Sequence, residues 1–301
     1  MPNRIASLVA VTLWLSFAAA ARGQQPPPEK LETQKLAEGL SLISGAGGNV
    51  ALMVGPNGVL LVDDKVAPAT PELQKAIAAV TPKPVRFVFN THWHGDHTGG
   101  NAVLGGAGAV IVAHDNVLRR LSSKQLAAMM NKEIPPAPAA ALPVITFAES
   151  MAFHLNGDDI EIVHVDPAHT DGDSFVFFKK ANVLHMGDTY FSAGYPFIDL
   201  SSGGSVDGYV KAADRALAMT QPSTKIIPGH GPVADRDKLR AFRDMIVTIR
   251  DRVKKLAAAK KTLAEVQAAK PSAEYDATWG KAFISGPQFV ETIYKEVSRK
   301  R

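Results

Sequence analysis

Apolar positions along this chain change period several times, and each change predicts an element. Two short apolar runs, Val50 to Val54 and Val59 to Val62, flank the turn-forming cluster Gly55-Pro56-Asn57-Gly58 and read as paired strands. Thr70 to Val80 places Leu73, Ile77 and Val80 on one helical face, and Pro82 and Pro84 end it. Val85 to Phe89 reads as a buried strand that delivers Asn90-Thr91-His92 at its C-terminal end, where loops carry function in layered α/β folds. Ala109 to Val112 predicts a further strand and Asn116 to Met130 a helix. The proline-rich stretch from Pro135 to Pro143 predicts no regular structure, whether as a loop beside a site or as a linker.

The second half repeats the style of the first. Strands are expected at Met151 to Leu155, Ile160 to Val165, Phe175 to Phe178, Val183 to Met186 and Lys225 to Ile227, with a helix at Val206 to Met219. Strand-rich halves, each closed by helices, predict two sheets packed face to face with helices outside, a four-layer α/β/β/α sandwich over residues 35–234. No residue-level internal repeat accompanies that symmetry, which rests on element order alone. From Asp235 the chain reads as a helical extension packed on the sandwich, with helices at Leu239 to Lys255, Leu263 to Ala269 and Pro287 to Val297.

The first 23 residues read differently. Arg4 precedes an apolar run from Ile5 to Ala19, and Ala21 and Gly23 fit a small-x-small cleavage pattern, so export with a mature start near Gln24 is expected. The run is short for a membrane span of roughly 20 residues, and 24–34 reads as a flexible lead-in, so no lasting membrane anchor and a periplasmic location are expected. Without Arg4 and Arg22 the charge balance is 31 basic against 29 acidic residues, which offers no basic surface for nucleic acid. A small-molecule substrate is the expected partner, and oligomeric state is not addressed by sequence. The chain has no cysteine, so disulfides and thiolate metal ligands are excluded.

The chemistry concentrates in His92-Trp93-His94-Gly95-Asp96-His97, three imidazoles and a carboxylate within six residues of a chain with nine histidines. Such donors suit zinc and its first-row neighbours. Three more candidates sit in Gly- or Pro-flanked loops after predicted strands: His169, Asp188 and His230.

Together these motifs resemble the metallo-β-lactamase-fold hydrolases from about Gly47 to Pro232. The resemblance implies a first metal held by His92, His94 and His169, a second held by Asp96, His97 and His230, and Asp188 bridging both. Two zinc ions are the expected cofactors, with iron or manganese compatible with the same donors. It further implies that a metal-bound hydroxide attacks an activated carbonyl, with Asp96 both a ligand and the residue that orients the nucleophile. Asp188 stands where some lactam-cleaving members carry a cysteine, and Phe191 replaces a lysine they use three positions on. An aspartate bridge is instead similar to thioesterases of the glyoxalase II type and to lactonases. The thioesterase pattern, however, prefers a histidine at Asp173, and no glutathione-binding cluster stands out.

Expected export favours β-lactams or lactones over thioesters, and the near-neutral charge counts against phosphodiesters. A redox relative would carry glutamate at His94 and an attached flavin domain. A metal-binding protein with a degenerate site is the non-enzyme alternative, against which all seven ligands are present. Thr91, Thr170 and Thr189 are expected either to support the ligands or to serve as turn hydroxyls. His114 reads equally as a ligand support or a helix start, and His154, His164 and His185 read as structural. Trp93, Tyr190, Phe191, Tyr195 and Phe197 are expected as an aromatic rim over the metals, with Phe191 and Phe197 as core residues the alternative, while Trp279, Phe283 and Phe289 are expected to pack the terminal helices.

Overall fold

Every residue of the run Val59-Leu60-Leu61-Val62 is fully buried, as a strand covered on both faces requires. In the computed structural model, which describes residues 30–127 and 132–299, that run belongs to β4 (Gly58–Val62), which pairs antiparallel with β3 (Val50–Gly55) and parallel with β5 (Val85–Asn90). Side chains alternate across β4. Leu60 and Val62 face inward with Ala51 and Met53 of β3. Val59 and Leu61 face outward onto Leu73 and Ile77 of α1 (Thr70–Val80) and Leu104 of α2 (Asn101–Gly106). Burying each such side chain contributes about 1.5–3 kcal/mol relative to leaving it exposed.

The first sheet has seven strands in the order β1-β2-β3-β4-β5-β6-β9, with β1 at Glu32–Ala37, β2 at Leu40–Ser44, β6 at Val110–His114 and β9 at Ile145–Phe147. The second has five in sequence order: β10 (Ser150–Leu155), β11 (Asp158–His164), β12 (Ser174–Phe178), β13 (Val183–His185) and β14 (Lys225–Ile227). The inner core joins Leu60, Phe89 and Val112 of the first to Ile160, Val176 and Ile227 of the second. Behind the second sheet, Phe175, Leu184 and Ile226 pack on α4 (Val206–Met219), α5 (Arg236–Ala258) and α8 (Gly286–Arg299) through Tyr209, Phe242, Ile249 and Phe289. Helix, sheet, sheet, helix is therefore the observed layering, with α6 (Leu263–Ala268) and α7 (Ala273–Trp279) completing the C-terminal extension. No helix among the described residues is long and apolar enough to cross a membrane.

Three expectations change. Glu32 to Ala37, partly inside the expected lead-in, forms the edge strand β1, whose first four residues are exposed and leave no apolar alternation to read. Among the described residues, which leave out 128–131, the helix expected at Asn116 to Met130 is only α3 (Asp115–Leu121), followed by a two-stranded ribbon of β7 (Gln125–Ala127) and β8 (Lys132–Ile134). Ser122 and Ser123 both donate to the Arg119 carbonyl and compete with the helical bond there. The proline-rich stretch holds a 3₁₀ turn at Ala139–Ala141 and leads into β9. The expected export signal lies outside the described residues.

Candidate metal centre

Strands β5, β11, β13 and β14 all end on the same side of the sandwich, and each delivers one loop there. β5 leads into residues 91–97, β11 into the loop with His169, β13 into a 3₁₀ turn around Asp188, and β14 into Pro228-Gly229-His230. The first loop folds back on itself, with His97 N and Thr98 N both donating to the His94 carbonyl. Two glycines admit the side chains to one place. A Cβ on Gly48 would stand 2.0 Å from His97 Cε1, and one on Gly229 would stand 1.9 Å from Asp188 Oδ1.

All seven expected ligands converge, in two groups that could hold metal ions: His92, His94, His169 and Asp188, and Asp96, His97, His230 and Asp188. Within each group the donor atoms lie within 4.8 Å of one another. Asp188 belongs to both because its oxygens point opposite ways. Oδ2 is 3.4 Å from His169 Nε2 and 3.9 Å from His92 Nε2, whereas Oδ1 is 3.0 Å from His97 Nε2 and 3.5 Å from His230 Nε2. Asp96 Oδ2 sits 3.1 Å from His230 Nε2.

The donor set fits divalent cations. His92 Nε2 and Asp188 Oδ1 are buried without a hydrogen-bond partner, a costly state for polar atoms unless something binds them. Ring nitrogens also face one another, His94 Nδ1 and His169 Nε2 at 2.7 Å and His97 Nε2 and His230 Nε2 at 3.3 Å. A shared cation explains such convergence of donors. The chemistry is all imidazole and carboxylate, compatible with zinc, iron or manganese.

Four of the five imidazoles, those of His92, His94, His97 and His169, are aimed through the other nitrogen, as metal ligands usually are. His97 Nδ1 is 2.7 Å from Asp63 Oδ2, and Asp63 also accepts from the Thr91 amide and hydroxyl. Asp63 has a positive φ of 66° immediately after β4, so the strand end is bent to bring its carboxylate under His97. His94 Nε2 is 3.0 Å from Asp199 Oδ2. Asp199 also accepts from Ser201 and Ser202, through their amides and hydroxyls. His169 Nδ1 is 2.6 Å from the Phe197 carbonyl. Asp173 accepts the His169 and Thr170 amides and the Thr170 hydroxyl, pinning that loop.

Electrostatics divide the site. Burial, followed by the neighbouring His94, depresses His169 to about 4, and burial with His97 lowers His92. Burial opposes charge on His230 as well, but the Asp188 carboxylate raises it to about 9, and the same carboxylate raises His97. Burial would also raise Asp96 and Asp188, yet the adjoining His97 charge holds both below the usual carboxylate range. Positive charge is thus strongly favoured between Asp96 and Asp188.

Sequence reasoning missed Asp63 and Asp199. The signal for Asp63 was the abrupt Asp63-Asp64-Lys65 at the end of a wholly apolar strand, all three fully buried. Asp199 left no comparable signal. Thr91 and Thr170 support the site, while Thr189 bonds the Met186 carbonyl as a turn hydroxyl. His114 caps α3 by accepting from Asn116 N. His185 is buried with both ring nitrogens partnered, by Asn49 O and Gly187 N. Of the expected rim, Trp93, Tyr190 and Tyr195 are buried, whereas Phe191 and Phe197 stack on His230 and His94. Phe283, expected in the packing of the helices, is instead 69% exposed.

Comparison with known proteins agrees with this geometry. The "2,4-dinitroanisole O-demethylase subunit alpha" of Nocardioides sp. is 28% identical over 144 residues, covering 46% of this chain and 40% of the relative. A "Hydroxyacylglutathione hydrolase" of Polaromonas sp. is 26% identical over 180 residues, 60% of this chain and 61% of that one. The chain therefore spans about half the length of these curated relatives. Among solved structures, a metallo-beta-lactamase from Pontibacter korlensis superposes with a TM-score of 0.60 at 20% identity, over 72% of this chain and 99% of that one. The sec-alkylsulfatase Pisa1 from Pseudomonas sp. superposes at 0.70 and 16% identity, over 88% of this chain and 50% of that one. These two likenesses show the fold. The family model for the metallo-beta-lactamase superfamily matches residues 44–230, the span that carries all seven site residues, and the chain belongs to that superfamily.

Proposed function

We propose that this protein is a dinuclear zinc-dependent hydrolase that cleaves an activated carbonyl in a small molecule, with β-lactams or lactones favoured. The observation that carries the reading is Asp188, which turns one carboxylate oxygen to each ligand group. In it His92, His94 and His169 would hold one ion, Asp96, His97 and His230 the other, and Asp188 both. Bound ions of this kind supply a nucleophile active near neutral pH and polarise the carbonyl under attack.

The chain's own residues do the positioning. His94, Asp96 and His230 form the open face, with side chains 15%, 35% and 33% exposed, against 1% or less for His92, His97 and His169. Substrate therefore approaches over the first three. Asp96 stays ionised, so its carboxylate accepts a hydrogen bond from the attacking group and fixes its direction. Asp63, Asp199 and the Phe197 carbonyl hold the imidazoles of His97, His94 and His169 in single orientations, so little reorganisation of these three is needed during reaction.

A thioesterase is the second reading, supported by relatives named hydroxyacylglutathione hydrolase. The apolar run after Arg4 supports export to the periplasm as part of the proposal. The test is metal analysis with a hydrolysis panel: a chromogenic cephalosporin, acyl-homoserine lactones and an acyl-glutathione thioester, each with and without chelator. About two metal ions per chain and chelator-sensitive turnover of a lactam or lactone are expected. At most one ion per chain, or turnover indifferent to chelator, overturns the mechanism.

A further inference from the structure

Three phenylalanines line the open face, and one of them comes from the C-terminal extension. Phe191 stacks on the His230 ring at 5.4 Å and 11°. Phe197 stacks on His94 at 5.9 Å and 23° and stands edge-on to His169 at 5.5 Å. Phe283 in turn meets Phe197 edge-on, with centroids 6.1 Å apart and planes at 88°.

Phe283 is not a loose end. Ile284, its neighbour in sequence, is 5% exposed in the helical core. Tyr195 N donates to the Trp279 carbonyl, and the Tyr195 hydroxyl donates to Asp276. Ala282 Cβ lies 2.6 Å from where a Cβ on Gly194 would stand. The loop is fastened on both sides, yet it presents a large apolar ring to solvent beside a polar metal site. No cation–π partner covers any of the three rings among the described residues, although Lys281 is exposed in the same loop.

We infer that Phe283, with Phe197 and Phe191, forms the substrate-recognition rim, and that the substrate brings an uncharged apolar group to it. A carboxylate placed against these rings would lose hydration without gaining a partner, whereas an apolar group gains area removed from water. The substrate class is thus a neutral ester or lactone with an apolar portion. This inference rests on the hydrolase reading and narrows it. Phe283 has its ring contact with Phe197 and not with a ligand imidazole, so it acts on binding and not on the chemical step.

The test compares 4-nitrophenyl butyrate with the monoanionic 4-nitrophenyl hemisuccinate on metal-loaded protein. Wild type is expected to favour the butyrate at least tenfold in kcat/KM. Phe283→Ala should raise KM for the butyrate about five- to tenfold with kcat within about twofold, the pattern of lost uniform binding, and Phe283→Leu should largely restore it. Lys281→Ala should leave butyrate turnover unchanged. An unaltered KM in Phe283→Ala, or a wild-type preference for the hemisuccinate, overturns the inference. So does a fall from dimer to monomer in Phe283→Ala, by sedimentation, without a kinetic change, because the ring would then cover a second copy. If wild type cleaves neither ester, binding of 4-nitrobutyranilide by ligand-observed NMR separates the two readings. Binding lost in Phe283→Ala keeps the rim and removes the hydrolase, while binding equal in both proteins removes the rim.

Discussion

The two ligand groups share Asp188 but are built differently. His92, His94 and His169 offer imidazole alone and sit on Thr91, Asp199 and the Phe197 carbonyl. The other group adds the Asp96 carboxylate, and its His230 and Asp96 are about a third exposed. Its histidines are pushed towards the charged form while His92 and His169 are pushed towards the neutral one. The contrast teaches a division of labour. On the proposed reading the first group, with His92 and His169 buried and pushed towards the neutral form, would hold an ion deep in the site, and Asp96 and His230 of the second, together with His94, would face the substrate.

Asp96→Asn should break that division most. It keeps the shape of the open group and removes its ionised acceptor, so turnover is expected to fall about 10²–10⁴-fold while the thermal midpoint stays close to wild type. Activity within a few-fold of wild type would place the nucleophile's orientation elsewhere.

Asp199→Asn and Asp63→Asn sharpen the comparison, because each carboxylate serves one group. Loss of such a support commonly costs about 10–100-fold in metal affinity. Asp199→Asn is expected to weaken one equivalent of metal through His94, and Asp63→Asn the other through His97, as read by competition with a chelator. Equal weakening of both equivalents in each variant would mean that the groups are not separable.

The smallest effect concerns a histidine pair outside the ligand set. His114 and His164 stack at 3.7 Å and 13°, and burial lowers both from the ordinary histidine value. A folded-state value below the unfolded one means that the unfolded chain binds protons more readily. Stability from this pair is therefore complete above about pH 6.5 and declines as pH falls through the depressed folded values. His164→Gln should flatten that acid limb in thermal melts while leaving stability at pH 8 little changed. An unaltered acid limb would assign the loss to the carboxylates.

Legibility followed periodicity. Strands β4 and β5 and helices α4 and α5 were readable because each buries a continuous face, which imposes a pattern on successive residues. Edge strand β1 was not, because a strand exposed over Glu32 to Lys35 needs no apolar alternation. The stop of α3 at Leu121 was masked by residues that continue a helical pattern while serine hydroxyls interrupt it. Phe283 was read as packing because aromatic residues near helices usually pack.

From the amino-acid order alone came the layered class, the seven donors and their grouping by resemblance, since ligand chemistry needs particular residue types at chain positions that bend. Only the folded chain decided how those donors are aimed. Asp63 lies 34 residues from His97 and Asp199 lies 105 from His94, and a lone carboxylate carries no mark of the imidazole it will meet. The placing of Phe283 on the rim belongs to the same category. Separations of that length are closed by the packing of sheets and helices, and local pattern has no access to them.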